Sequence, residues 1–184
     1  MAGVPKGVHK LYKVLVYGGL ERSQCDEIES QLDDANRKSV RLVSTACALV
    51  FLARLIIEWS MGNPHNRMTY IVAVLLFILV AAVTMRPKVS HNVVHLSAYL
   101  FMVTYYGVGI ATAIAPTSVQ ERTTLFLVFL ASGPMMFALN AIELAALEIP
   151  AELVYIWAIT QYQSGYDVYF TNLNNSLFFM VTGL

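Results

Sequence analysis

The sequence predicts an all-α integral membrane protein, a bundle of about six transmembrane helices preceded by an amphipathic leader helix on the cytoplasmic side. Two observations lead to this fold class. First, 57% of the 184 residues are hydrophobic, only 13% are charged and the mean hydropathy is +0.59, a composition too apolar for a soluble domain of this size. Second, the apolar residues are gathered in runs close to the roughly 20 residues that a helix needs to cross a bilayer.

Residues 1–39 are predicted to form the cytoplasmic leader. After a pair of glycines, an apolar residue recurs every three or four positions and makes one narrow stripe on an otherwise charged helix. The stripe consists of Cys25, Ile28, Leu32 and Ala35. Two interpretations fit it: an interfacial helix that leads into the first span, and a dimerisation surface.

Residues 40–184 are predicted to form the transmembrane bundle. Continuous apolar runs, without the polar alternation of strands, cover 40–59, 69–85, 93–115, 123–139 and 144–160. A last run begins at Asn174 and has only about half the length of a span when it reaches Leu184. We therefore expect the sixth span to be truncated and the chain to be a fragment.

Basic residues set the expected orientation. They gather at the start of the first span and in the loop after the second, as Arg37, Lys38, Arg41, Arg86 and Lys88. By the positive-inside bias the N-terminus is cytoplasmic, and six spans return the C-terminus to the cytoplasm. The formal net charge of zero argues against a nucleic-acid partner, and no cleavable signal peptide precedes the first apolar run.

A glycine and a proline interrupt the fourth apolar run, "ERTTLFLVFLASGPMMFALN". Pro134 has no backbone N–H, so the carbonyl of Leu130 loses its helical partner, and Gly133 removes side-chain bulk beside it. We predict a kink at Gly133 and Pro134 that faces protein or a cavity, because lipid cannot satisfy the freed carbonyl. The kink either fixes the packing of this helix or serves as a hinge that transmits a signal.

Charged side chains inside the spans mark the candidate site. Arg54 and Glu58 lie one helical turn apart in the first span, as do Glu148 and Glu152 in the fifth. A charge near the middle of a bilayer costs about 3 kcal/mol or more, so these groups are expected to face the bundle interior and find partners, including an Arg54–Glu152 contact.

The charged groups allow two interpretations. They form ion pairs that fix the register of the helices, or they line a pocket that admits a small polar or anionic ligand from the outer side, held at two points by the Arg54 guanidinium. The hypothetical pocket comprises Arg54, Glu58, Tyr105, Tyr106, Glu152 and Asn172.

The remaining candidates are weaker in chemistry. Gly107, Ala111 and Ala115 make a smooth strip for helix packing. His91 and His95 share a helix face, but no third ligand is identified from the sequence, so no metal site and no cofactor are predicted. No phosphate loop or nucleophile–base arrangement is present, so the fragment itself is not expected to be an enzyme.

Three segments resemble the N-terminal membrane region of bacterial diguanylate cyclases that carry a C-terminal GGDEF domain. The fourth span of that group is similar to "ERTTLFLVFLASGPMMF", its leader to "LVYGGLERSQCDEIESQLDDANRKSVRLVS", and the opening of its last span to "YDVYFTNLNNSLFFMVTGL". The chain departs from the group at "ALNAIE", where an Asp-Arg-Pro-like step is expected, and it contains no GGDEF sequence.

The resemblance implies a sensory or anchoring module in the bacterial inner membrane that localises, dimerises and regulates a cytoplasmic cyclase beyond Leu184, in cyclic di-GMP signalling. A parallel homodimer is expected because such cyclases join GTP molecules held by a pair of catalytic domains. The alternative is a small-solute transporter, in which intramembrane charges and a proline-broken helix are equally natural. An integral-membrane enzyme ranks last.

Overall fold

The computed structural model describes residues 22–62, 66–86, 89–114, 119–162 and 174–175. Every element that it resolves in these ranges is an α-helix, as the sequence predicts. The helices follow in the order α1 (Arg22–Ser60), α2 (Arg67–Met85), α3 (His91–Ala113), α4 (Val119–Met136) and α5 (Ala141–Tyr162).

Three helical stretches in the described part of the chain are long and apolar enough to cross a membrane. They are Gln31–Ser60, Arg67–Met85 and His91–Ala113. Phe126–Met136 is an apolar stretch of α4 that is shorter than a span. Membrane-spanning character is therefore supported for α1 to α3, and the full set of six spans stays a prediction.

Helix α1 is continuous for 39 residues, and it passes without a break through the expected boundary between leader and bundle. Its buried and partly buried positions recur every three or four residues, so a single face of the helix packs against the bundle from its polar half to its apolar half. This face consists of Asn36, Val40, Ser44, Ala48, Phe51, Leu55 and Glu58.

The apolar stripe predicted for the leader lies elsewhere on α1. Leu32 and Ala35 are exposed, whereas Asn36 is buried in the bundle. The side chains of Cys25 and Ile28 lie outside the described residues. The exposed position of Leu32 and Ala35 leaves both interpretations of the stripe open, because an interfacial surface and a dimerisation surface would each point away from the bundle.

An aromatic cluster joins α1 to α4 through the centre of the bundle. Phe51 of α1 lies 5.7 Å from Phe77 of α2 between ring centroids, and Phe77 lies 5.0 Å from Phe101 of α3. The series continues through Tyr105, 5.5 Å from Phe101, to Phe129 of α4, 4.2 Å from Tyr105. Each such pair contributes about 0.5–1.5 kcal/mol beyond its buried area, so the series fixes the rotation of α3 about its axis.

The predicted packing strip makes no close approach at its first described member. A Cβ atom added to Gly107 would meet no atom within 4 Å, and Ala115 lies outside the described residues. The close contact of α3 is instead at Gly109, where an added Cβ would lie 3.0 Å from Phe129 of α4. Gly107 and Ala111, which is half-buried, leave a smooth surface whose partner stays a prediction.

Candidate functional site

A buried carboxylate inside the bundle anchors the first polar cluster. Glu148 of α5 is fully buried, and its Oε1 accepts a hydrogen bond of 3.2 Å from the Tyr106 hydroxyl of α3. Its Oε2 has no hydrogen-bond partner within the described part of the chain. Because an unpaired polar group costs several kcal/mol in an apolar environment, the tyrosine is the contact that makes a carboxylate tolerable at this position.

Gly133 of α4 provides the space through which Tyr106 reaches Glu148. A Cβ atom at Gly133 would lie 2.1 Å from the Tyr106 hydroxyl oxygen and 2.8 Å from Cζ of the same ring, so any larger residue would displace the tyrosine. We call Tyr106, Gly133 and Glu148 the Glu148 cluster. The cluster brings the predicted kink position into direct contact with a predicted pocket residue.

Tyr105, the residue before Tyr106, contacts α4 at Ser132, the residue before Gly133. Its hydroxyl lies 2.9 Å from Ser132 Oγ, and Ser132 donates a 2.7 Å hydrogen bond to the Val128 carbonyl oxygen. Since the serine proton is used in that bond, Tyr105 is the donor to Ser132. Both tyrosines therefore hold α4 at the two residues that directly precede Pro134, which lies inside the helix. We call this pair of contacts the tyrosine clamp.

Arg54 and Glu58 pair along α1, with 3.6 Å between Arg54 Nη2 and Glu58 Oε1. The Arg54 side chain is 53% exposed and that of Glu58 is 7% exposed, so a largely exposed guanidinium lies beside a buried carboxylate one turn further along α1. This is the geometry that the one-turn spacing predicts.

The remaining members of the hypothetical pocket are Glu152 and Asn172. Glu152 is buried in α5, and Asn172 lies outside the described residues. A groove of about 260 Å³ between α3 and α5 includes Tyr106, and its other lining residues are apolar or glycine: Val103, Gly107, Ile110, Ala146, Leu147, Pro150, Ala151 and Val154. The structure thus places Tyr106 beside an apolar groove, and the charged pocket around Arg54 stays a prediction.

A second polar region surrounds the polar half of α1, where Asn36 joins this helix to the segment after α4. Asn36 Nδ2 donates a 3.1 Å hydrogen bond to the Ala138 carbonyl oxygen, and the Ala138 N–H donates one of 2.8 Å to Asn36 Oδ1. The reciprocal pair uses both polar atoms of the amide on one backbone unit, and 102 residues separate the partners. The end of α4 is therefore tied to α1.

The next residue of α1 extends the same attachment to α2. Arg37 Nε donates a 3.1 Å hydrogen bond to the Thr84 carbonyl oxygen, and Arg37 Nη2 donates to the Arg86 carbonyl oxygen. These carbonyls are at the end of α2, where four backbone acceptors lack helical donors. A cation at a helix C-terminus also interacts favourably with the helix dipole. Arg37, one of the basic residues on which the predicted membrane orientation is based, therefore also caps the end of α2.

Asp33 joins α1 to the beginning of α3. His91 Nδ1 lies 2.8 Å from both carboxylate oxygens of Asp33, and His95 Nε2 lies 3.6 Å from Asp33 Oδ1. The two imidazole rings are 4.3 Å apart between centroids. Asp33 is a third group of ligand type beside His91 and His95, and it could not be recognised from the sequence because 58 residues separate it from His91.

Glu143 completes this region from the first turn of α5. The Asn140 N–H donates to Glu143 Oε2 at 2.9 Å, and the Glu143 N–H donates to Asn140 Oδ1 at 2.9 Å, which is the reciprocal geometry of a capping box. The other carboxylate oxygen, Oε1, accepts a 2.5 Å hydrogen bond from Tyr99 and lies 3.6 Å from His95 Nδ1. We call Asp33, His91, His95 and Glu143 the Asp33 cluster.

The two clusters differ in what they can do chemically. The Glu148 cluster is buried inside the bundle and joins α3 to α5, whereas the Asp33 cluster offers imidazole and carboxylate atoms to a cation at a partly exposed site.

Comparisons with protein-family models, with curated proteins and with solved structures found no match for this chain.

Proposed function

We propose that this chain is the membrane module of a bacterial signalling protein, and that it localises, dimerises and regulates a cytoplasmic diguanylate cyclase. The observation that carries the proposal is the tyrosine clamp. Tyr105 and Tyr106 hold α4 directly before Pro134, at Ser132 and Gly133. A proline in a helix removes a backbone hydrogen bond, so the segment after it moves at a smaller cost than a regular helix.

The contacts around α4 supply a route for a signal. The helix ends at Met136, and two residues later Ala138 forms its reciprocal pair with Asn36 of α1. A displacement of α4 at Pro134 therefore changes the force on the polar half of α1. In the proposed orientation this half of α1 is cytoplasmic, where it would meet an output domain.

The proposal includes the topology and assembly that the sequence predicts. The chain spans the inner membrane six times with both termini in the cytoplasm, and it forms a parallel homodimer related by an axis along the membrane normal. A small polar or anionic ligand enters from the outer side near Arg54. The exposed large apolar side chains of α1 and α2, such as Leu49 and Leu75, support contact with lipid or with a second copy.

The proposal is tested in the full-length protein. The reading frame after Leu184 should encode a GGDEF domain, and cyclic di-GMP should be measured in cells that express wild type, Pro134→Ala and Pro150→Ala. Pro150 is the matched control because it also lies inside a helix but is exposed on α5. We expect Pro134→Ala to change the cyclic di-GMP level by several-fold and Pro150→Ala to leave it close to wild type. A stop codon or further spans after Leu184 would refute the proposal and favour a transporter.

Topology has its own experiment. A single cysteine replaces Asn63, between α1 and α2, in a background where Cys25 and Cys47 are serine. A membrane-impermeant maleimide should label it in intact spheroplasts. Labelling only after permeabilisation would reverse the proposed orientation.

A further inference from the structure

The Asp33 cluster has the spacing of a metal site. One candidate ligand atom from each of Asp33, His91 and His95 can be chosen so that all three lie within 4.8 Å of one another. In a tetrahedral site with ligands about 2.0–2.1 Å from the metal, neighbouring ligand atoms are about 3.4 Å apart. The observed separations from Asp33, 2.8 Å to His91 Nδ1 and 3.6 Å to His95 Nε2, lie on either side of that value.

Two different helices supply the donors. His91 and His95 lie at positions i and i+4 in the first turns of α3, so both rings project from one face. Asp33 approaches from α1. A bound ion would therefore join the polar half of α1 to the start of α3, with a geometry fixed by two rigid elements.

Glu143 is placed as an orienting group for His95. Ligating histidines commonly donate their second ring nitrogen to a carboxylate, which fixes the tautomer and strengthens the ligand. His95 directs Nε2 toward Asp33 and Nδ1 toward Glu143 Oε1, each at 3.6 Å. Glu143 is itself held by Tyr99 and by its capping box with Asn140. His95 therefore has Nε2 on the side of the other candidate ligands and Nδ1 on the side of the orienting carboxylate.

The site is also accessible to an ion. The side chains of His91, Asp33 and His95 are 42%, 22% and 20% exposed. Buried ion pairs need no access path, but a reversible metal site does. We propose that Asp33, His91 and His95 bind a divalent first-row transition-metal ion, with Glu143 as the positioning residue of His95.

The donor set selects the class of metal. Two imidazoles with one carboxylate suit Zn²⁺, Co²⁺, Ni²⁺, Cu²⁺ and Fe²⁺, whereas Mg²⁺ and Ca²⁺ prefer oxygen ligands alone. Three protein ligands leave at least one coordination position for water or another molecule. Since the site does not depend on a cyclase or on the ligand near Arg54, it can be tested apart from the proposed function.

The competing explanation is a metal-independent hydrogen bond between Asp33 and His91. Both explanations place the same atoms together, but only a metal site produces a coordination spectrum. The experiment uses the whole chain without a histidine tag, in lipid nanodiscs, stripped of metal by a chelator. Co²⁺ is titrated while the visible absorption bands of coordinated Co²⁺ are recorded, and bound Co²⁺ is then displaced with Zn²⁺, Mg²⁺ or Ca²⁺.

We expect one equivalent of Co²⁺ per chain, displaced by Zn²⁺ and retained in Mg²⁺ or Ca²⁺. Asp33→Asn and His95→Gln should each weaken binding more than Glu143→Gln, which should cost about 10–100-fold as the loss of an outer-shell partner does. Glutamine can still form the capping box, so Glu143→Gln tests orientation with the start of α5 preserved.

Asp34→Asn is the matched control. Its carboxylate pairs with Lys38 at 2.6 Å and is 56% exposed, so this variant changes the same charge one residue away and should bind Co²⁺ like wild type. Thermal unfolding of every variant without metal identifies any loss of fold, and the rise in Tm with Zn²⁺ should be present in wild type and Asp34→Asn and absent in Asp33→Asn. Absence of coordination bands in wild type, or equal binding by wild type and Asp33→Asn, would overturn the proposal.

Discussion

The Glu148 and Asp33 clusters each join α3 to other helices through carboxylates, but they do so under opposite conditions. The Glu148 cluster is closed: it consists of a fully buried carboxylate, one tyrosine donor, and a glycine that leaves no room for a Cβ atom beside the tyrosine. The Asp33 cluster is open: its groups are partly exposed, and Glu143 and Asp33 each make contacts with more than one partner. The closed cluster therefore depends on shape, whereas the open cluster depends on which polar atoms its side chains present to one another.

The largest effect is expected from adding one methyl group to the closed cluster. Gly133→Ala should lower the free energy of unfolding by about 3 kcal/mol, because the new Cβ would lie 2.1 Å from the Tyr106 hydroxyl oxygen and the ring must move. Unfolding in mixed micelles with increasing SDS measures the change. Gly107→Ala, on an open surface of α3, is the control and should be neutral or stabilise by up to about 1 kcal/mol, because alanine favours a helix and meets no atom there. Equal losses for the two alanine variants would remove the shape argument.

The next effect concerns the two hydrogen bonds between the Asn36 side chain of α1 and the backbone of Ala138. Asn36→Ala should destabilise the protein by about 2 kcal/mol, since it removes two hydrogen bonds and leaves the Ala138 N–H and carbonyl without their partner. Asn92→Ala, at an exposed position of α3, is the control and should be neutral. The same SDS titration applies. A neutral Asn36→Ala would mean that water or headgroups replace the amide, and that α4 is not tied to α1.

A smaller effect separates the two tyrosines of the clamp. Tyr106→Phe should cost about 1–2 kcal/mol, because it leaves Glu148 Oε1 buried without its donor. Tyr105→Phe should cost less, since Ser132 keeps its hydrogen bond to the Val128 carbonyl oxygen. A double-mutant cycle of Tyr106→Phe with Glu148→Met, which removes the acceptor at similar volume, measures the coupling. A coupling energy near zero would show that the tyrosine contributes packing alone.

The smallest effect is expected at the surface. Asp34→Asn removes an exposed ion pair with Lys38 and should leave the unfolding free energy close to that of wild type, because solvent screens such pairs. Asp33→Asn, its neighbour, should cost more in metal-free buffer because it weakens the contact with His91. Chemical denaturation at low and high salt gives both values. A larger loss for Asp34→Asn than for Asp33→Asn would contradict the packing of α1 described above.

Local features of this fold were predictable from the sequence. The apolar runs 40–59 and 69–85 fall within α1 and α2, and the one-turn spacing of Arg54 and Glu58 gives their contact directly. Both depend on residues close in the chain, whose geometry follows from the helical repeat. The need for glycine at residue 133 was harder to predict. The sequence indicates a bend there, but it does not indicate which side chain from another helix lies against the glycine.

The contacts that define the second cluster could not be obtained in this way. Asp33 and His91 are 58 residues apart, and Asn36 and Ala138 are 102 apart. Their meeting depends on the rotation of each helix about its axis, which the central aromatic cluster sets and which periodicity alone leaves undetermined. Polar residues that precede a span are ordinarily solvated. The burial of Asn36 was therefore indicated locally only by its position one helical turn before Val40, on the same face of α1.

The unbroken course of α1 imposes a rule on how this protein can vary. A helix of 39 residues is about 58 Å long, and each residue turns it by about 100°, so its two halves share one angular phase. Inserting one residue between Arg37 and Val40 would swing Asp33 and Asn36 about 100° away from their partners while Phe51 stays in place. Inserting seven residues, close to two full turns, would restore the angle but shift the contacts by about 10 Å along the axis. The number of residues between Asn36 and Phe51 is therefore a stricter requirement than the identity of the exposed residues between them.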